Sequence, residues 1–414
     1  MTFSNLKHFI LWGTLTLLCA ATAPAQSFFP ADYVAARARF RQDAAAMASR
    51  VPGTEIGMLR VPSAVDNDLT IDYVLIPAET TPARLLIVTS GLHGVEAYAG
   101  SAVQFMMLEE MLPKATRRGV SVLLVHSLNP YGYKYHRRVS ESNIDLNRNF
   151  AATSELFATT NEGYGRLDSF LNPQHPVSVY GPVAWARELT GLARTLLSGA
   201  MNTVRDAILQ GQYDHPKGVY FGGNAFAANT TLVQDLLARM TEPYGMVSLL
   251  ELHTGYGKAG VQHFWGNAQL TAEQKVAQDY VYKGFPVEKA DGGEFYPVNG
   301  DFAAYFGVAF ASKLGLAMTF EYGTIGSDTM VGSLDSLYRT KLENQGFQYG
   351  FANETSKRVV AERFLALYTP PSPAWRARVE EQARASLPLM LQRLEDVEYK
   401  GIARKIAKAG GGSK

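Results

Sequence analysis

Cysteine is almost missing from this chain: Cys19 is the single one in 414 residues. It falls within residues 1–25, which have the layout of a secretory signal. Lys7 is the positive end, Phe9 to Ala20 the apolar stretch, and Ala23-Pro24-Ala25 a small-x-small cleavage site. Leu18 stands before Cys19 where a lipoprotein signal wants a small residue, which argues against lipidation. Cleavage after Ala25 leaves no disulfide and no thiol nucleophile, so any metal site must use histidine and carboxylates. Long hydrophobic runs are also lacking. The apolar stretch is short for a membrane span, so a periplasmic or secreted protein without stable membrane insertion is expected. No charge of one sign dominates: 39 Lys+Arg against 38 Asp+Glu give +1, and loss of Lys7 brings this to zero. That balance excludes the electrostatic footprint of a nucleic-acid or anionic-membrane binder, and the basic stretch from Lys400 to Lys408 reads as a solvated helix end. There is no GxxxxGK[ST], no GxSxG and no HExxH. A literal GxGxxG, Gly255-x-Gly257-x-x-Gly260, lacks the helical apolar stripe that dinucleotide binding requires after it.

Composition is that of a folded enzyme-sized protein, with 47% hydrophobic and 19% charged residues. Leu69 to Ile76 alternates like a strand. Leu85–Thr89, Val120–Val125, Met246–Leu250 and Leu316–Phe320 are apolar runs of strand length. Helical patterns lie at Ala31–Ala48, Tyr98–Met111, Val183–Gln210, Leu232–Met240 and Thr271–Lys283, and again from Ala374 after Pro370, Pro371 and Pro373. The alternation predicts an α/β fold with a mixed, largely parallel central sheet, helices on both faces and a C-terminal helical extension. The expected division is a signal at 1–25, a helical or extended segment at 26–68, a catalytic domain at 69–368 and a helical extension at 369–414.

The chemistry follows the strands. One run leads into His93-Gly94-Val95-Glu96, another into Glu251-Leu252-His253-Thr254-Gly255, and a third ends at Glu321. In open α/β sheets the ligand crevice lies beyond the carboxyl ends of the strands. Two imidazoles and one carboxylate form a catalytic zinc set that leaves room for water, and Glu321 is the carboxylate left over to take a proton. HxxE alone is weak, and a lone His253 is more often structural; the convergence carries the reading. His263 is an alternative ligand, although His136, His175, His215 and His263 fit surface or core histidines better. A further segment holds Asn129-Pro130-Tyr131-Gly132, His136-Arg137-Arg138 and Asp145-Leu146-Asn147-Arg148-Asn149-Phe150, whose arginines suit a substrate carboxylate.

Taken in order, these blocks resemble the M14 zinc carboxypeptidases, and more closely their bacterial DUF2817 branch with its HGVE, NPYG, DLNRNF and LHTG blocks, over roughly residues 69–368. The resemblance implies one Zn²⁺ per chain on His93, Glu96 and His253, with Glu321 as general base. It implies Asn147 and Arg148 at the substrate carboxylate, with Arg137 as a further candidate there. Arg138, or Arg137, would face the oxyanion, and Asp145 would hold His93. A tyrosine over the substrate is implied as well, with Tyr296 and Tyr305 both open. The expected partner is a peptide, a peptidoglycan fragment or a small amide carrying a free carboxylate. The alternatives are an aspartoacylase-like deacylase of N-acyl amino acids and a non-catalytic binding protein, the latter opposed by Glu321. The segment from Glu155 to Tyr220 has no counterpart in the resemblance and is expected to shape the pocket.

Overall fold

The apolar runs become the interior strands of one eight-stranded sheet in a computed structural model that describes residues 27–179, 209–266, 270–289 and 298–397. The signal segment and most of the Val183–Gln210 pattern lie outside those residues. The strands are β1 (Glu55–Arg60), β2 (Thr70–Ile76), β3 (Arg84–Ser90), β4 (Val120–His126), β5 (Met246–Gly255), β6 (Gln262–Gly266), β7 (Val287–Lys289) and β8 (Gly315–Gly323). Their order across the sheet is β1-β2-β4-β3-β5-β8-β6-β7. The block β4-β3-β5-β8 is parallel, while β2 joins it antiparallel on one side and β6 on the other. This is the mixed, largely parallel sheet expected, and every residue of β5 is buried, as befits a strand covered on both faces.

The helices among the described residues are α1 (Tyr33–Arg50), α2 (Ala97–Met106), α3 (Pro130–Lys134), α4 (Glu162–Leu171) and α5 (Ala228–Thr241). They continue with α6 (Ala272–Val281), α7 (Phe302–Ala309), α8 (Met330–Tyr349), α9 (Glu354–Tyr368) and α10 (Pro373–Asp396). Helix α2 packs over β3 and β5 with α1 and α10 against it, and α7 packs on β5 and β8. One hydrophobic cluster runs from Phe28 to Val397, taking in Tyr33, Phe40 and Met47 of α1 and Trp375, Leu387 and Leu394 of α10. The segments flanking 69–368 thus share the core. No helix of the described residues is long and apolar enough to cross a membrane.

The literal GxGxxG leaves β5 in a loop and enters strand β6, not a helix. Its glycines sit at φ +129°, +102° and +72°, which explains them as loop chemistry.

His126 closes β4 deep in the core, stacked on Phe40 with ring centroids 4.8 Å apart, its Nε2 2.9 Å from Ser101 Oγ. Burial, with Arg41 and Arg37 nearby, pushes its pKa down to about 3. The unfolded chain therefore binds a proton near pH 6.5 that the folded chain refuses. Stability is intact above pH 6.5 and is lost as pH falls toward 3, at about 1.4 kcal/mol per pH unit. Urea unfolding at pH 7 and pH 5 should show that slope reduced in His126→Gln; equal slopes in both proteins contradict the assignment.

Candidate functional site

Backbone geometry brings the motif residues to one edge of the sheet. The register pairs His253 of β5 with Glu321 of β8, and Glu251 with Thr319. Alternation along a strand puts all four on one face. His93 arrives from β3 after Gly91, whose φ of +66° suits a residue without Cβ. The turn at Gly94–Glu96 then carries Glu96 back beside it. Ligand atoms of His93, Glu96 and His253 all lie within 4.8 Å of one another, and all three residues are buried. His93 Nδ1 is 2.8 Å from Glu96 Oε1, and His253 Nδ1 is 2.8 Å from Glu96 Oε2.

Each imidazole turns its far nitrogen to a carboxylate. His93 Nε2 lies 3.2 Å from Asp145 Oδ1, and His253 Nε2 contacts Glu251 Oε1. Burial works against charge on Glu96, yet both histidines hold its carboxyl well below the usual range. Burial likewise opposes charge on Asp145, and Arg138 and His93 hold it low. The donor set, two imidazole nitrogens and one carboxylate facing a common point with both far nitrogens braced, fits a divalent cation of the zinc class.

Glu321 accepts a hydrogen bond from Tyr256 N–H at 2.8 Å through Oε1. Burial and the neighbouring Glu96 carboxylate push its pKa up to about 8. A cation on Glu96 opposes that rise, so the charge of Glu321 is tied to what the triad holds.

The long connection after β4 supplies the rest. Asn129 caps α3 by accepting from Gly132 N–H at 2.9 Å and donates to Arg138 O at 3.2 Å. Arg138 donates from Nε to Asp145 Oδ2 at 3.0 Å, from Nη1 to Glu96 Oε1 at 3.3 Å, and from Nη2 to His93 Nε2 at 2.7 Å. It lines the cavity, as do Asn147 and Arg148. Asn147 Oδ1 accepts from Phe302 N–H at 2.8 Å, which leaves its amide nitrogen as a donor. Arg148 donates to Asn147 O and to Leu209 O, both at 2.8 Å, while its buried Nε has no partner among the described residues.

Arg137 departs from its expected place at the substrate. It is buried, donates to Glu343 at 2.7 Å and stacks 3.5 Å from the Phe347 ring, so it braces the connection instead. Arg138, the next residue, is the one that lines the cavity. Tyr305 also lies off the cavity, packed on Phe150 with centroids 5.7 Å apart, and Tyr296 lies outside the described residues. His263 pairs with Glu288 at 2.6 Å and does not belong to the cluster of ligand atoms.

Sequence reasoning missed three contributors. Glu251 was one residue of a strand end, with nothing local to show which ring it would meet. Asn149 ties the connection to the 151–227 segment, donating to Gly222 O and accepting from Ala227 N–H and Thr230 Oγ1. Tyr220 lines the cavity between Arg138 and Arg148, whose guanidinium carbons lie 5.6 and 5.9 Å from its ring centre. Its φ of +56° is left-handed, a strained backbone for a bulky residue, held by Gln212 N–H on Tyr220 O and Asp145 N–H on Phe221 O. Tyr220, at the end of the 155–220 segment, thus lines the pocket.

These groups surround a cavity of about 400 Å³, with aromatic walls from Tyr220, Tyr256, Trp265 and Tyr368 and an apolar flank from Met330, Leu334 and Leu337 of α8.

A family model described as "Protein of unknown function (DUF2817)" matches residues 29–382. No curated protein matches the sequence. Among solved structures, bovine thrombin-activatable fibrinolysis inhibitor in complex with tick carboxypeptidase inhibitor is 13% identical, covering 80% of this chain and 95% of its own, with a TM-score of 0.39. A metallo-carboxypeptidase from Burkholderia cenocepacia is 10% identical over 83% of this chain and 69% of its own, at a TM-score of 0.38. A metallo-carboxypeptidase from Pseudomonas aeruginosa, in complex with (2-guanidinoethylmercapto)succinic acid, is 12% identical over 80% and 66%, at 0.36. At such scores the functional weight falls on the side chains alone.

Proposed function

The chain belongs to the DUF2817 family, whose description leaves its activity open, and we propose that this member is an exported zinc-dependent hydrolase of carboxypeptidase type. Its substrate is an amide whose departing half carries a free carboxylate, in a peptide or a peptidoglycan fragment. The observation that carries the reading is the buried triad of His93, Glu96 and His253 with Glu321 in register across β5 and β8. Export rests on the signal layout of residues 1–25.

His93, Glu96 and His253 would hold the zinc. The bound ion supplies acidification of a water and polarisation of the scissile carbonyl. Glu321 would take a proton from the attacking water and deliver it to the leaving amine, with its Oε1 held by Tyr256 N–H. Arg138 offers donors to the developing oxyanion. His93 sets when it can do so. Arginine only donates, so the contact of Nη2 with His93 Nε2 requires that nitrogen to be bare. With a cation held at His93 Nδ1, the ring proton would sit on Nε2 and face Asp145, and Arg138 Nη2 would be free to face the substrate. The amide nitrogen of Asn147 and the guanidinium of Arg148 receive the carboxylate, with Arg148 exchanging a carbonyl partner for it.

The cavity of about 400 Å³ lies near the small end of ligand sites and favours a short substrate, which keeps a deacylase of N-acyl amino acids as the second reading. Metal content and a substrate panel test both. Purified protein should carry about one zinc per chain. It should hydrolyse N-blocked dipeptides with a free C-terminus, and C-terminal amidation should abolish turnover. Turnover confined to N-acyl amino acids selects the deacylase, and a metal-free, inactive protein discards both.

A further inference from the structure

Glu251 has no part in the chemistry just described, yet it is among the most enclosed carboxylates of the molecule, 1% exposed. It precedes His253 by two residues on β5, and side chains at that spacing share a face. Its Oε1 meets His253 Nε2, while its Oε2 is buried without a hydrogen-bond partner among the described residues. A buried carboxylate with an unsatisfied oxygen is costly to stability. A backbone carbonyl could orient the ring without that cost. The position holds a carboxyl side chain all the same.

The same arrangement occurs at the other histidine. Asp145 Oδ1 faces His93 Nε2, and that carboxylate is itself fully partnered, accepting from Asn147 N–H at 3.0 Å and Arg138 Nε at 3.0 Å. Each ring therefore has an acid behind it, Glu251 from the same strand as His253 and Asp145 from the connection after β4, and both Nδ1 atoms face Glu96. We propose that Glu251 is a positioning residue for the metal site. It keeps the ring proton of His253 on Nε2, presents the Nδ1 lone pair to the cation and adds negative charge behind the ring. This rests on the zinc reading above and extends it, since a carboxylate partner makes an imidazole a stronger ligand than a neutral acceptor does. It also explains the charge of the centre. Among the described residues Glu96, Asp145 and Glu251 lie against the two rings, and Arg138 is the arginine ion-paired with two of them, an excess of carboxyl groups that a divalent cation would offset.

The test measures metal binding without substrate. Zinc affinity of the full mature chain is determined by competition with a chromogenic chelator for wild type, Glu251→Gln and Glu251→Asp. Glu251→Gln should bind zinc about 10- to 100-fold more weakly, with Glu251→Asp recovering part of the loss. The visible spectrum of the cobalt-substituted protein should shift in Glu251→Gln, because the field at His253 changes. Wild-type affinity together with an unchanged cobalt spectrum overturns the proposal. Should neither variant fold, nitrogen-15 NMR of zinc-loaded wild type decides: a proton on His253 Nε2 supports the assignment, and a metal on Nε2 overturns it. A wild-type chain that takes up no zinc fails the metal reading itself, and this inference with it. A zinc-binding wild type whose Glu251→Gln variant is unaffected defeats this inference alone.

Discussion

Glu321→Gln should retain one zinc per chain and lose about 10³- to 10⁴-fold in kcat, with KM changed little. Glutamine is isosteric, and its carbonyl can still accept from Tyr256 N–H, so the local fold has no reason to move. The triad of His93, Glu96 and His253 is untouched, and relief from the charge of Glu321 leaves Glu96 at least as good a ligand. What disappears is the carboxylate in register with His253 across β5 and β8; Glu251 faces His253 and Asp145 is fully partnered. Zinc content by atomic absorption and steady-state rates on the same sample give the answer. Hydrolysis within tenfold of wild type means the proton goes elsewhere, and the mechanism fails.

Gly94→Ala should be the most damaging single-methyl change near the site, costing at least about 3 kcal/mol and the metal with it. A Cβ at Gly94 would stand 2.1 Å from Gly132 C and 2.2 Å from Tyr133 N. Those are backbone atoms of α3, so no rotamer change relieves the overlap. Gly132 is equally confined, since its own Cβ would meet Arg137 O at 2.6 Å. The Gly94–Glu96 turn must therefore move away from the connection it bonds, breaking Gly94 N–H to Arg138 O and Val95 N–H to Arg137 O. His93 and Glu96 then lose their common focus. Thermal unfolding and zinc titration measure both effects. An alanine variant with unchanged Tm and zinc affinity shows that the two backbones can part without disturbing the triad.

These two glycines show how a motif can be visible while its reason is not. Their constraint is the contact between the Gly94–Glu96 turn and α3, 38 positions apart. Other features were legible because their signal is local. The runs Leu85–Thr89 and Met246–Leu250 are continuous and apolar, and they emerge as β3 and β5, buried on both faces. Edge strands were not legible. In β1, Ile56 and Met58 point outward and Gly57 lies under the Tyr73 ring, so the alternation that marks a half-buried strand is inverted. The three residues of β7 are too few to show any period.

The sequence by itself determined the side-chain types delivered to the carboxyl edge of the sheet: His93, Glu96, His253 and Glu321 each follow or end an apolar run, and strand periodicity is enough to send them there. Tertiary structure alone decided which groups meet them. Arg138 rather than Arg137 reaches the cavity, Glu251 braces His253, and Tyr220 enters between two arginines. Each of those outcomes depends on how separate loops cross, and loop crossing is settled by packing and backbone hydrogen bonds between distant segments, which leave no period in the chain.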